Sequence, residues 1–205
     1  MLEARDLAGH RGHARLFSGL SFAVPAGQAL VVSGPNGTGK TTLLRMLAGL
    51  TAPASGEIRW RGERVRPFAA ALRQSVAYAG HAIALKDDLT AEENLVSLVS
   101  LAGIAVSSSE AREAMSAVAL SRQSRLPARV LSAGQRRRIG LARLRLVKRP
   151  LWVLDEPATA LDSAGVETLV ALVREQLARG GTVVAATHQP LDVDPARVTR
   201  LSLGG

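Results

Sequence analysis

An α/β fold with a mainly parallel core sheet and a helical insertion is what this 205-residue sequence predicts, on three observations. Short apolar runs such as Leu151-Trp152-Val153-Leu154 and Thr182 to Ala186 have the length and continuity of strands buried on both faces. They alternate with amphipathic stretches of helical period, which is the pattern of parallel strands joined by crossover helices. Third, Gly34-Pro35-Asn36-Gly37-Thr38-Gly39-Lys40-Thr41 fits the phosphate-cradling pattern G-x-x-x-x-G-K-[ST] at every defined position. It lies between apolar Ala29-Leu30-Val31-Val32 and helical-looking Thr42 to Leu47, where a strand turns into a helix.

In chain order, Leu2 to Leu7, Leu16 to Val24 and Gln28 to Val32 read as strands, with Pro25-Ala26-Gly27 as a turn. Gly49 and Pro53 end the helix after the Gly-rich loop. Glu57 to Trp60 reads as a strand closing in an Arg61-Gly62 turn, and Ser75 to Ala79 as another short strand. Leu89 to about Leu120 is helical, with a Thr90/Glu93 capping box and Ser109 as a cap for Glu110 to Val118. A helix follows from Leu131-Ser132-Ala133-Gly134-Gln135 to about Lys148, and another spans Ser163 to Ala178 before Gly180-Gly181. Trp60 and Trp152 fall in strand cores and are assigned no chemistry.

Composition narrows the class. A hydrophobic content of 47% and a mean hydropathy of +0.13 suit a globular domain. The longest mainly apolar stretch, Leu95 to Val106, is broken by Ser97 and Ser100 and falls short of the roughly 20 residues of a membrane span. The opening Met-Leu-Glu-Ala-Arg-Asp carries no apolar signal core, so no secretion signal is expected. Cysteine is absent, so there is no disulfide and no thiolate metal site. The formal charge of +9 admits nucleic acid, anionic lipid or an acidic partner. The arginines are scattered, however, and direct nucleic-acid binding is not expected.

The chemistry-bearing residues follow from position. Backbone N–H groups of a Gly-rich loop close around phosphate oxygens, and the helix N-terminus adds a partial positive charge. Lys40 can reach the β- and γ-phosphates, and the Thr41 hydroxyl can ligate Mg²⁺. Asp155 ends the buried strand and can hold the Mg²⁺ water shell, while the next residue, Glu156, can orient an attacking water.

The order of these motifs resembles the ATP-binding cassette (ABC) ATPases over essentially the whole chain, read as one nucleotide-binding domain, 1–205, with a helical subdomain at about 87–135. The resemblance implies the P-loop NTPase fold with an N-terminal antiparallel β subdomain. It also implies ATP and Mg²⁺ as cofactors. Gly34, Pro35, Asn36, Gly37, Thr38, Gly39, Lys40, Thr41 and Thr42 are similar to the Walker A loop, and Leu131–Gln135 to the signature. Leu151–Glu156 is similar to the Walker B strand with its catalytic Glu, Ala160-Leu161-Asp162 to the D-loop, and His188 to the switch histidine. In that family two copies pack head to tail. Ser132, Gly134 and Gln135 of one signature, with Asp162, then face the nucleotide of the other.

Two departures stand out. Where the family's Q-loop has Gln, Val76-Ala77-Tyr78-Ala79-Gly80 leads to His81, whose neutral imidazole can still bond a Mg²⁺-bound water. The window for an adenine-stacking aromatic holds His10, Arg11 and His13, with Phe17 beyond it.

Several stretches are further similar to the haem-exporter ATP-binding subunits of the cytochrome c maturation system. These are Met1 to Leu7, Leu16 to Phe22, the His81 variant, Leu89 to Leu95, and Leu131–Gln135 followed by Arg136-Arg137-Arg138. That resemblance implies a haem-handling motor at the cytoplasmic face of the bacterial inner membrane. The chain would be bound to integral-membrane permease subunits and would bind no haem itself. A motor for another small-molecule or lipid exporter, or a soluble ABC ATPase acting on nucleic acid or ribosomes, shares the catalytic motifs and stays open.

Overall fold

Val31, Val32 and their neighbours in β3 (Ala29–Ser33) are buried because a strand flanked by parallel partners has no solvent face. In the computed structural model, which describes residues 1–189 and 191–204, β3 is the fourth strand of a five-stranded parallel sheet of order β6-β7-β8-β3-β9. The others are β6 (Val76–Ala79), β7 (Leu151–Asp155), β8 (Thr182–Ala186) and β9 (Val198–Ser202). All residues of β7 and β8 are buried. Edge strand β9 is half-exposed and carries Arg200. Its alternation of polar and apolar residues gives no buried run, so the sequence pattern does not announce it.

A second, four-stranded antiparallel sheet has the order β2-β1-β4-β5, from β1 (Leu2–Arg11), β2 (Ala14–Val24), β4 (Ser55–Trp60) and the two-residue β5 (Glu63–Arg64). Strands β1 and β2 run to the Gly12 turn, beyond the Leu2 to Leu7 and Leu16 to Val24 readings. Trp60 and Trp152 are both buried.

The chain divides into two compact units. The first comprises residues 1–79, 149–157 and the chain from Val173 on. It holds both sheets, α1 (Lys40–Leu47) and α2 (Ala70–Ser75). One apolar cluster joins Leu2, Ile58 and Trp60 of the antiparallel sheet, Leu43, Leu44 and Leu47 of α1, and Leu30, Val153 and Val184 of the parallel sheet. Helix α1 is thus clamped between the layers, and its first turn is held at the carboxyl ends of β3 and β7.

The second unit comprises Gly80–Lys148 and Ala158–Leu172, and so contains the 87–135 segment. Helices α3 (Ala91–Ser100), α4 (Ser108–Ala117) and α5 (Ala133–Val147) pack on one another. The expected Thr90/Glu93 capping box opens α3. For α4 the cap is Ser107, not Ser109: Ser107 Oγ accepts from the Glu110 N–H, and the Glu110 carboxylate returns to the Ser107 N–H. Three serines in a row leave the register open to sequence reading, and only Ser107 stands three residues before Glu110. Buried Asn94 donates to the Lys86, Leu89 and Thr90 carbonyls and accepts from the Lys86 N–H, which fixes the entry to α3. Helix α6 (Ser163–Ala178) runs from the second unit into the first.

Candidate functional site

The carboxyl ends of β3, β7 and β8, adjacent in the sheet, converge on one place, where open parallel sheets bind ligands. After β3, Gly34, Gly37 and Gly39 all adopt left-handed φ angles (140°, 87° and 101°). At Gly34 the requirement is also spatial, because a Cβ would lie 2.3 Å from the Leu203 carbonyl oxygen. Gly39 N-caps α1 with no side-chain cap, so the helix's first N–H groups are left for an outside acceptor. Buried Lys40 donates from Nζ to the Gly34 and Pro35 carbonyls at 2.7 and 3.0 Å, and Thr38 Oγ1 donates to the Pro35 carbonyl at 3.0 Å. The loop is therefore closed on its own ammonium.

Thr41 Oγ1 donates to Asp155 Oδ2 at 2.8 Å. A hydroxyl and a carboxylate oxygen held together suit a hard divalent cation that keeps most of its water. Among the described residues no group of three or more His, Cys, Asp or Glu side chains forms a protein cage for a metal.

Glu156 has a left-handed φ of 47°, and its N–H donates to the Ala186 carbonyl at the end of β8. Its carboxylate lies 3.4 Å from His188 Nε2, and both side chains reach solvent. Thr187 Oγ1 accepts the Gln189 N–H, shaping the turn that carries His188. Tyr78 of β6 is half-buried. Its phenol is pushed up by burial, and further by the Asp155 charge, against the Arg45 guanidinium. Arg45 lies in no motif of the sequence, and Tyr78 enters only as part of the strand leading to His81; the β6–β7 pairing of Tyr78 with Val153 brings the phenol there.

In the adenine window His10, Arg11 and His13 are exposed around the Gly12 turn. Phe17 is half-buried and packs where a Cβ on Gly39 would meet its ring at 3.1 Å.

The second unit carries the other group of expected residues. Ser132 N-caps α5, with Ser132 Oγ accepting the Gln135 N–H and Gln135 Oε1 accepting the Ser132 N–H. The capping box fixes the start of α5, and Gly134 lies in its first turn. A Cβ there would lie 2.7 Å from the Ala160 carbonyl oxygen, so the signature and the 160–162 turn touch backbone to backbone. Asp162 accepts from Arg138 Nη2 at 2.5 Å and from the Gly165 N–H at 2.9 Å. The Arg138 bond, then the Gly165 amide, hold its carboxyl below the usual range. These residues border an open cleft. His81 is exposed and follows β6; its carbonyl, with that of Gly80, accepts from Arg137. Arg137 and Arg138 enter the sequence reading only as part of a basic run, because nothing in spacing tells which carbonyl or carboxylate each will meet.

A Gly-rich anion cradle at a strand-to-helix turn, with hydroxyl and carboxylate oxygens beside it and a further carboxylate at the mouth, defines a P-loop nucleoside triphosphatase. Residues 17–159 match the ABC transporter family. A cytochrome c biogenesis ATP-binding export protein CcmA from Nitrosomonas europaea is 48% identical over 203 residues, covering 99% of this chain and 95% of its own length. One from Pseudomonas aeruginosa is 45% identical over 201 residues, covering 98% and 99%. Among solved structures, an ABC transporter ATP-binding protein from Pyrococcus furiosus superposes with a TM-score of 0.83 at 25% identity, covering 98% of this chain and 96% of that one. The chain belongs to the ABC transporter family, within the group formed by these cytochrome c biogenesis relatives. It is an ABC-type ATPase that binds ATP.

Proposed function

We propose that this ATPase is the motor of a haem-handling complex in cytochrome c biogenesis. It works as a head-to-tail pair of copies beneath integral-membrane permease subunits, on the cytoplasmic face of the bacterial inner membrane. Near half identity along almost the full length to export proteins of that process supports the pathway. The observation that carries the mechanism is the meeting of Thr41 with Asp155 and of Glu156 with His188 at the ends of adjacent strands. Among the described residues no helix is long and apolar enough to cross a membrane, which suits a subunit attached through partners.

On this reading Lys40 exchanges the Gly34 and Pro35 carbonyls for β- and γ-phosphate oxygens, and the N–H groups of residues 34–42 wrap the phosphates. Thr41 and Asp155 would hold Mg²⁺, which would supply positive charge beside the phosphates. Glu156 orients the attacking water and draws on its proton, and His188 steadies the Glu156 carboxylate and the γ-phosphate. Ser132, Gly134 and Gln135 of the second copy present the N-terminus of α5 to that phosphate, with Asp162 holding the adjoining turn. His81 takes the family's Gln position toward the metal's water. The new P–O bond forms from water as the bond to the β-phosphate oxygen breaks, and the pair opens once the γ-phosphate no longer bridges it.

The test is mass spectrometry of proteins that co-purify with the tagged chain from detergent-solubilised native membranes. Recovery of integral-membrane cytochrome c biogenesis subunits is expected. Recovery of an unrelated permease would keep the motor and change the cargo, and recovery of ribosomes or DNA alone would overturn the transporter reading.

A further inference from the structure

Helix α5 grips the segment 80–88 at successive positions of one face. Arg136 Nη2 meets Asp87 Oδ1 at 2.7 Å. Arg137 Nη1 donates to the Gly80 carbonyl at 2.9 Å and to the His81 carbonyl at 3.1 Å. One turn further on, Gly140 has no room for a side chain, because a Cβ would lie 2.9 Å from Ile83 Cδ1. Residues three and four apart share a helix face, so 136, 137 and 140 act as one rack.

Arg137 matters most of the three. The Arg136–Asp87 pair is half-exposed and of the kind that contributes little. Arg137 is only 7% exposed, and burying a guanidinium is costly unless its donors are satisfied. Residues 80–85 form no helix or strand, so the Gly80 and His81 carbonyls depend on partners such as this one. Packing alone would be served by an apolar side chain, whereas two charge-assisted bonds to consecutive carbonyls fix the backbone on either side of the His81 Cα.

We propose that Arg137 is a positioning residue for ATP hydrolysis. It clamps the Gly80-His81 backbone to the signature helix, so that the placement of the His81 imidazole is set by α5, the same helix whose first turn carries Ser132 and Gly134. Any rotation of α5 that follows engagement of the signature is then passed directly to His81. The inference rests on the roles proposed above for His81 and the signature.

Two readouts on the full chain test it. In hydrogen exchange followed by mass spectrometry without nucleotide, Arg137→Ala is expected to raise exchange across 80–88 by about tenfold, the loss of a charge-assisted bond. The α3 and α4 peptides stay at parent rates. In steady-state hydrolysis with the membrane partners bound, kcat falls by about tenfold with KM for ATP within about twofold, and Arg137→Lys recovers most of it. Adding Arg137→Ala to His81→Ala costs less than about twofold more, because both act through one group. Should Arg137→Ala fail to fold, Arg137→Gln keeps one carbonyl donor and is expected to give the same pattern at reduced size. Unchanged exchange over 80–88 in a folded variant, or rate losses that multiply in the double variant, would overturn the proposal. Failure of the ATPase mechanism itself would show separately, as a Lys40→Ala chain that turns over ATP as fast as the parent.

Discussion

The Thr41 hydroxyl donates to Asp155 Oδ2 across 2.8 Å, tying the first turn of α1 to the carboxyl end of β7. These residues are far apart in sequence, and their bond places the two oxygens of the proposed Mg²⁺ site side by side. Asp155→Asn keeps an acceptor for the hydroxyl but removes the charge. Hydrolysis is expected to fall at least about a hundredfold, with the Mg²⁺ requirement moved to higher concentration. The same variant should lower the Tyr78 pKa, since the Asp155 charge is one of the causes that raise it. Tyr78 is the only tyrosine, so an ultraviolet titration of phenolate reads it alone. An unmoved midpoint would mean that Asp155 does not face the phenol.

Glu156→Gln preserves the shape of a side chain held at a left-handed backbone position beside His188. It loses the charge that draws on the water's proton. ATP binding is expected to persist while turnover falls by about a hundredfold or more. An ATP-bound dimer should then accumulate on size-exclusion chromatography. A chain that stays monomeric in ATP would sink the head-to-tail arrangement.

Gly134→Ala drives a methyl toward the Ala160 carbonyl oxygen, 2.7 Å from the new Cβ. Neither backbone can yield cheaply, and a loss of about 1–3 kcal/mol in urea unfolding is expected. Ala160 itself sits at φ 65°, so Ala160→Gly should recover part of the loss by letting that turn move. Additive costs in the double variant would show that the two do not press on each other.

The Arg138 bond, and then the Gly165 amide, hold the Asp162 carboxyl below its ordinary value of 3.8. A depressed folded-state value means that the stabilisation is present above the unfolded carboxyl's pKa and is lost as pH falls through the folded one. Parent stability should therefore drop as pH falls below about 4, and Asp162→Asn should flatten that limb of the curve. Urea midpoints measured from pH 6 down to pH 2 decide it, and parallel limbs would remove Asp162 as a source.

The legible parts of this protein were those written in short-range pattern. The Gly34–Thr41 loop, the buried β7 and β8 runs, the Thr90/Glu93 box and the extent of α6 each depend on neighbours within about one helical turn or one strand. The α4 cap is Ser107, two residues before the Ser109 that the sequence suggests, because the Glu110 side chain reaches back three residues. Half-exposed β9 is not legible in the sequence because its hydrogen bonds go to β3, far away in the chain.

Residue type and spacing alone marked a Gly-rich strand-to-helix turn suited to a triphosphate and a carboxylate pair after a buried strand, since backbone conformation and local charge follow from adjacent residues. Only the tertiary structure decided which groups meet: Thr41 with Asp155, Tyr78 with Arg45, Arg138 with Asp162, Arg137 with the Gly80 and His81 carbonyls. Three consecutive arginines are chemically identical in the sequence. The direction in which each leaves α5, and what the fold has placed there, assigned them one half-exposed ion pair, one buried backbone clamp and one hold on Asp162.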